Sequence, residues 1–133
     1  SLALSQAAIE SGWGTSRYMN EGNAIFGQYT YDKYTGIKPR QRETGEKFFI
    51  KKFVSLSESV RSYLKNINTH SAYDDFRNER RKLRMNGESL LGNVLANFLP
   101  NYSERNEAYV SDLKHLIETN NFMKFDKIEG LLN

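Results

Sequence analysis

A glutamate, Glu10, closes the apolar stretch Ala7-Ala8-Ile9 and is followed by Ser11-Gly12-Trp13-Gly14. The residues before it favour helix, and the glycines after it favour a helix end. A carboxyl in the last helical turn faces the negative end of the macrodipole. Apolar neighbours, Trp13 among them, would add desolvation, and both effects push a carboxyl pKa upward. A carboxyl that stays protonated near neutral pH can donate its proton to a glycosidic oxygen. Taken alone, a glutamate at a helix end is an ordinary surface residue, so the surrounding residues decide.

Ser11 and Trp13 flank the acid. Trp13 is the only tryptophan, three residues from Glu10, and three readings stay open for it: packing on the acid, lining a sugar groove, or anchoring the core. Other chemistries are poorly supplied. There is no cysteine, which removes disulfides, a thiolate nucleophile and zinc–thiolate sites. His70 and His115 are too few for a His-rich metal site and read as surface or packing residues. No metal or cofactor is expected.

The elements that must hold Glu10 can be read along the chain. Residues 1–12 form a helix ended by Gly12 and Gly14, and Thr15 is placed to cap a short helix through Met19, stopped by Gly22. The segment 26–53 changes character, with Tyr29, Tyr31 and Tyr34 alternating with polar residues and a strand-forming run at 47–53. It reads as a small antiparallel hairpin or lobe. Ser55-Leu56-Ser57-Glu58 matches a capping box, with Val60, Leu64 and Ile67 on one face of the helix behind it. Further helices are expected at 73–86, 89–99 and 104–119, with one more turn or a loose tail after Asn121. The fold class is therefore α+β, mainly helical, with a small β-lobe beside a cleft.

At 133 residues the chain fits one domain, residues 1–133. It opens abruptly inside a helical pattern, which reads as a piece of a longer protein. No stretch approaches the ~20 apolar residues a membrane span needs. The net charge of +3 is concentrated at Arg77, Arg80, Arg81, Lys82 and Arg84. Asp74, Asp75 and Glu79 are interleaved with this run, so a solvated helix face is favoured over a nucleic-acid footprint. A mild basic bias also suits an anionic polymer.

Four blocks carry a resemblance: SQAAIESGWGTSR at 5–17, EGNAIFG at 21–27, KNINTHSAY at 65–73 and NYSERNEAYVSDLKHLI at 101–117. In this order they resemble the glucosaminidase family of lysozyme-like hydrolases, and within it the bacterial Bax-type members. The resemblance implies a lysozyme-like helical domain with a β-hairpin lobe, and it makes Glu10 the catalytic acid. It implies that the block at Asn23 borders the cleft; within that block Ile25 and Phe26 read as buried residues of a structural turn, and Gly27 as serving backbone geometry. It also implies a tyrosine that orients substrate, for which Tyr102 fits better than Tyr109. Glycosidases commonly use a second carboxylate, and the related enzymes often supply one from the β-lobe. The corresponding position here falls near Gln41, with Glu43 as a substitute and Glu46 a weaker one. The substrate's own N-acetyl group is the other solution.

The function expected on these grounds is hydrolysis of β-1,4 bonds between N-acetylated amino sugars of peptidoglycan. Glu10 and Glu43 would be catalytic, and Ser11, Trp13, Asn23 and Tyr102 would bind substrate. The alternative from another class is a peptidoglycan- or chitooligosaccharide-binding module of the same fold without turnover. An extracytoplasmic site in the bacterial envelope follows from the resemblance alone.

Overall fold

A computed structural model describes residues 1–41 and 43–127. The alanine-rich amino end forms α1 (Leu2–Ser11), in line with its helix propensity. Next comes α2 (Arg17–Gly22), whose cap is Ser16 rather than Thr15: the Ser16 hydroxyl accepts from the Met19 N–H at 3.1 Å. Thr15 is already committed, donating its hydroxyl to the Gly12 carbonyl at 2.6 Å. Nor is Gly22 the helix stop. Asn23 takes the left-handed conformation, at φ 50°, and Gly22 is small because a Cβ there would fall 2.7 Å from both Ile37 and Lys52.

Three short strands make the β-lobe: β1 (Tyr29–Thr30), β2 (Gly36–Ile37) and β3 (Phe49–Lys51). Both pairings are antiparallel, and the order is β1-β3-β2. The expected small antiparallel lobe is present as a three-stranded sheet whose last strand inserts between the first two. Gly36 permits this, because a Cβ on it would lie 2.3 Å from that of Phe49. In α3 (Leu56–Thr69), Ser55 accepts from the Glu58 N–H, while the Glu58 carboxylate accepts from Val54, one residue earlier than a strict capping box. Its inward stripe is Ser59, Tyr63 and Ile67, whereas Val60 and Leu64, expected inside, are exposed. The buried serine explains the miss: an apolar periodicity passes over a polar residue that is needed inside.

The chain divides into two compact units, Ala7–Asn66 and Ser1–Gln6 with Ile67–Asn133. The first contains the lobe and buries Ala8, Ala24, Phe26, Ile50, Ser59 and Tyr63. In the second, α4 (Asp74–Met85) has acids in its first turn and bases in its last, as the macrodipole favours. Much of its basic run is paired locally. Arg77 bonds Asp74 and the Ile67 and His70 carbonyls, Arg80 bonds Asn68, and Lys82 meets Glu79. The helix expected at 89–99 shrinks to α5 (Gly92–Leu95) followed by a 3-10 turn, Ala96–Phe98. Gly92 weakens helix there but is sterically required, since a Cβ would meet the Ser1 hydroxyl at 1.9 Å. Then α6 (Glu107–Thr119) buries Tyr109, Val110, Leu113 and Ile117. A further 3-10 helix spans Phe122–Lys127, and the rest of the tail lies outside the described residues.

The architecture is mainly helical α+β with a small antiparallel sheet, as expected. Among the described residues no helix is long and apolar enough to cross a membrane.

Asp126 ties the second unit together: its carboxylate accepts from the Ser1 nitrogen at 2.6 Å, the Ser1 hydroxyl at 2.5 Å and the Gly92 N–H at 2.9 Å. Burial pushes its pKa up, but the Gly92 N–H and the two Ser1 donors outweigh that and hold it below its ordinary 3.8. A depressed folded-state pKa stabilises the fold above the unfolded value and ceases to do so as pH falls through the folded one. Asp126→Ala is therefore expected to cost about 1–3 kcal/mol in urea denaturation at neutral pH. The gap between variant and parent should narrow below pH 3.8.

Candidate active site

The α1 carboxyl end is a complete Schellman motif. The Gly12 N–H reaches the Ile9 carbonyl at 3.3 Å and the Trp13 N–H reaches Ala8 at 2.8 Å, with Gly12 at φ 55°. Ser11 braces the same turn: its buried hydroxyl donates to Ala7 at 2.6 Å and accepts from the Gly14 N–H at 2.8 Å. Glu10 is thereby fixed in the last turn of α1, half-buried.

The chain after α2 is wrapped against this carboxyl. Asn23 ends α2 and donates its side-chain amide to the Phe53 carbonyl at 3.0 Å. The Ile25 N–H then bonds the buried Ser59 hydroxyl at 3.3 Å, and Phe26 stacks on Tyr63 with ring centres 4.0 Å apart. Phe26 is buried as expected, and Ile25 is half-buried. These two anchors deliver Gly27 to Glu10. At φ 60°, a Cβ on Gly27 would stand 2.9 Å from Glu10 Oε2, so the carboxyl lies directly over the glycine backbone. Sequence reasoning gave Gly27 a backbone role only and missed Ser59 and Tyr63. Their four-residue spacing on α3 was the available signal.

Trp13 is no core anchor, for 61% of its surface is exposed. It also holds a left-handed backbone, φ 56°, between Gly12 and Gly14 at 55° and 79°. A non-glycine residue in that region carries strain of order 1–3 kcal/mol, which the cap bonds around it must offset.

Glu43 lies in an exposed turn of the β-lobe. Its N–H donates to Glu46 Oε2 at 3.0 Å, and its carbonyl accepts from the Glu46 N–H. With Arg40, Gln41 and Glu46 it lines an open concavity of about 590 Å³. Glu10, Ser11, Trp13, Asn23 and Glu43 all belong to the unit Ala7–Asn66. Tyr102 belongs to the other, where it stacks on Tyr109 at 5.7 Å with rings 5° from parallel. Tyr109 is buried, and its hydroxyl accepts from the fully buried Gln6 amide at 3.1 Å. Among the described residues no cluster of metal-ligating side chains occurs.

Gly14 has a positive φ like Gly27, but a Cβ on it would meet nothing within 4 Å. Gly14→Ala should therefore cost only the left-handed penalty, about 1–2 kcal/mol. Gly27→Ala should cost more, because the added methyl also displaces the Glu10 carboxyl. Chemical denaturation of the two variants side by side measures the difference.

Comparison with known proteins places the chain in a family. Residues 1–122 match the glucosaminidase family model, described as mannosyl-glycoprotein endo-beta-N-acetylglucosaminidase. Protein bax of Escherichia coli (strain K12) is 32% identical over 120 residues, which is 90% of this chain and 42% of that protein. The chain thus spans less than half the length of that relative. No solved structure matches the chain. Because the family match takes in every element from α1 to α6, the chain belongs to the glucosaminidase family.

Proposed function

We propose that the chain is one catalytic domain that hydrolyses β-1,4 bonds between N-acetylated amino sugars of peptidoglycan, in the bacterial envelope. The observation that carries the reading is the Glu10 carboxyl, half-buried in the last turn of α1 and laid over Gly27. A helix carboxyl end and loss of solvent both disfavour an anion there, which suits a group that must hold a proton until the leaving oxygen takes it. Family membership adds the substrate class.

In this reaction Glu10 gives its proton to the glycosidic oxygen as the bond to the sugar carbon breaks. A water oxygen ends on that carbon, its proton passing to the base. Glu43 is one proposed partner for the second half; the substrate's acetamido oxygen, acting as internal nucleophile, is the other. Exposed Trp13 offers an aromatic face for a sugar ring. Ser11 and Asn23 have donors engaged in the turns around Glu10 and act by positioning. Tyr102 is assigned to substrate orientation on the family resemblance.

Glu10→Gln keeps the shape and removes the acid. It is expected to lower reducing-end release from purified cell wall by about 10²–10⁴-fold. Mass spectrometry of the products identifies the bond cut. Equal rates for the two proteins would remove Glu10 from the mechanism, and binding of wall by the parent without turnover would favour a binding module instead.

A further inference from the structure

The family resemblance leads one to expect a carboxylate near Gln41, yet the surface there is built around guanidinium groups. Arg17, Tyr18, Arg40 and Gln41 line a concavity of about 450 Å³, which adjoins the one at Glu43 and shares Arg40 and Gln41 with it. Arg17 is held in place from three sides. It donates to the Lys38 carbonyl at 2.7 Å and to Glu21 at 3.3 Å, and its guanidinium lies 4.9 Å above the Tyr18 ring. Pro39, buried, fixes the backbone between Lys38 and Arg40. Arg40 itself is exposed, and no carboxylate among the described residues lies within 4.0 Å of its guanidinium.

We infer that this β-lobe concavity binds a carboxylate of the glycan substrate, with Arg40 as the contacting group and Arg17 as a fixed neighbouring charge. The inference rests on the proposed amino-sugar polymer as substrate and specifies which form of it is preferred. A planar guanidinium matches a carboxylate through two parallel N–H donors, a geometry that a diffuse positive surface does not supply. The Arg17 charge is offset by Glu21, whereas no ion pair to Arg40 occurs among the described residues. Gln41 adds an amide beside it, and the volume accommodates a substituted sugar. The opposing charges are Glu43 and Glu46, which line the adjoining concavity with Arg40 and Gln41; Glu46 Oε2 accepts from the Glu43 N–H. Peptidoglycan offers the carboxylate from two sources: the lactyl ether of a peptide-stripped sugar, or the stem peptide.

The test uses Glu10→Gln protein, so that strands stay intact, with and without Arg40→Gln. Binding is measured to peptide-bearing strands, to peptide-stripped strands, and to stripped strands whose lactyl carboxyls have been converted to amides. Arg40→Gln is expected to weaken binding about fivefold wherever the recognised carboxylate is present, the scale of an exposed ion pair. It should change nothing for the amidated strands, and added salt should shrink the effect. A loss confined to peptide-bearing strands assigns the stem peptide, and a loss on stripped strands assigns the lactyl group. Equal effects on all three probes, or none on any, overturn the inference. Failure of the proposed hydrolysis is read separately, as absence of reducing-end release by the parent protein.

Discussion

The contact on which the site depends is that of a carboxyl with a residue that has no side chain. Glu10 Oε2 stands where a Cβ of Gly27 would be crowded at 2.9 Å, so the acid and the glycine can share the space only as long as both keep their identity. Each partner is delivered from a different direction. The Schellman turn and the Ser11 hydroxyl set the direction of Glu10. Gly27 is brought in by two anchors on α3, the Ser59 hydroxyl under Ile25 and the Tyr63 ring under Phe26. An aromatic stack of this kind contributes about 0.5–1.5 kcal/mol beyond its buried area. Here it also sets the height at which the glycine backbone passes the carboxyl.

Strain sits in the same place. Three consecutive residues, Gly12, Trp13 and Gly14, have positive φ, and the middle one is a tryptophan. The turn keeps this conformation because its N–H groups are satisfied by Ala8, Ile9 and Ser11. The result is a large ring presented to solvent three residues beyond the acid, a poor use of apolar surface for stability alone.

The β-lobe follows a similar economy. Gly36 lets β2 close on β3, and Gly22 lets α2 lie against Lys52 and Ile37. Arg17 joins α2 to the Lys38 carbonyl, so the charged surface around Arg40 is supported by the same helix that leads into the Asn23–Gly27 turn. Acid, aromatic ring and guanidinium therefore all hang from short elements within the unit Ala7–Asn66.

What could be read without coordinates was local. Alanine content located α1, Gly12 located its end, and Glu10 emerged in the last turn, because propensity and capping act over a few residues. The same holds for the Ser55–Glu58 cap. Nonlocal features were decided by the tertiary structure. Strand order depended on how closely Gly36 could approach Phe49, and the buried stripe of α3 depended on a backbone N–H at Ile25 that needed a serine. The meeting of Glu10 with Gly27 depended on Tyr63, far along the chain. Hydrophobic periodicity records which residues prefer to leave water, but not which polar group must go in with them to satisfy a buried donor.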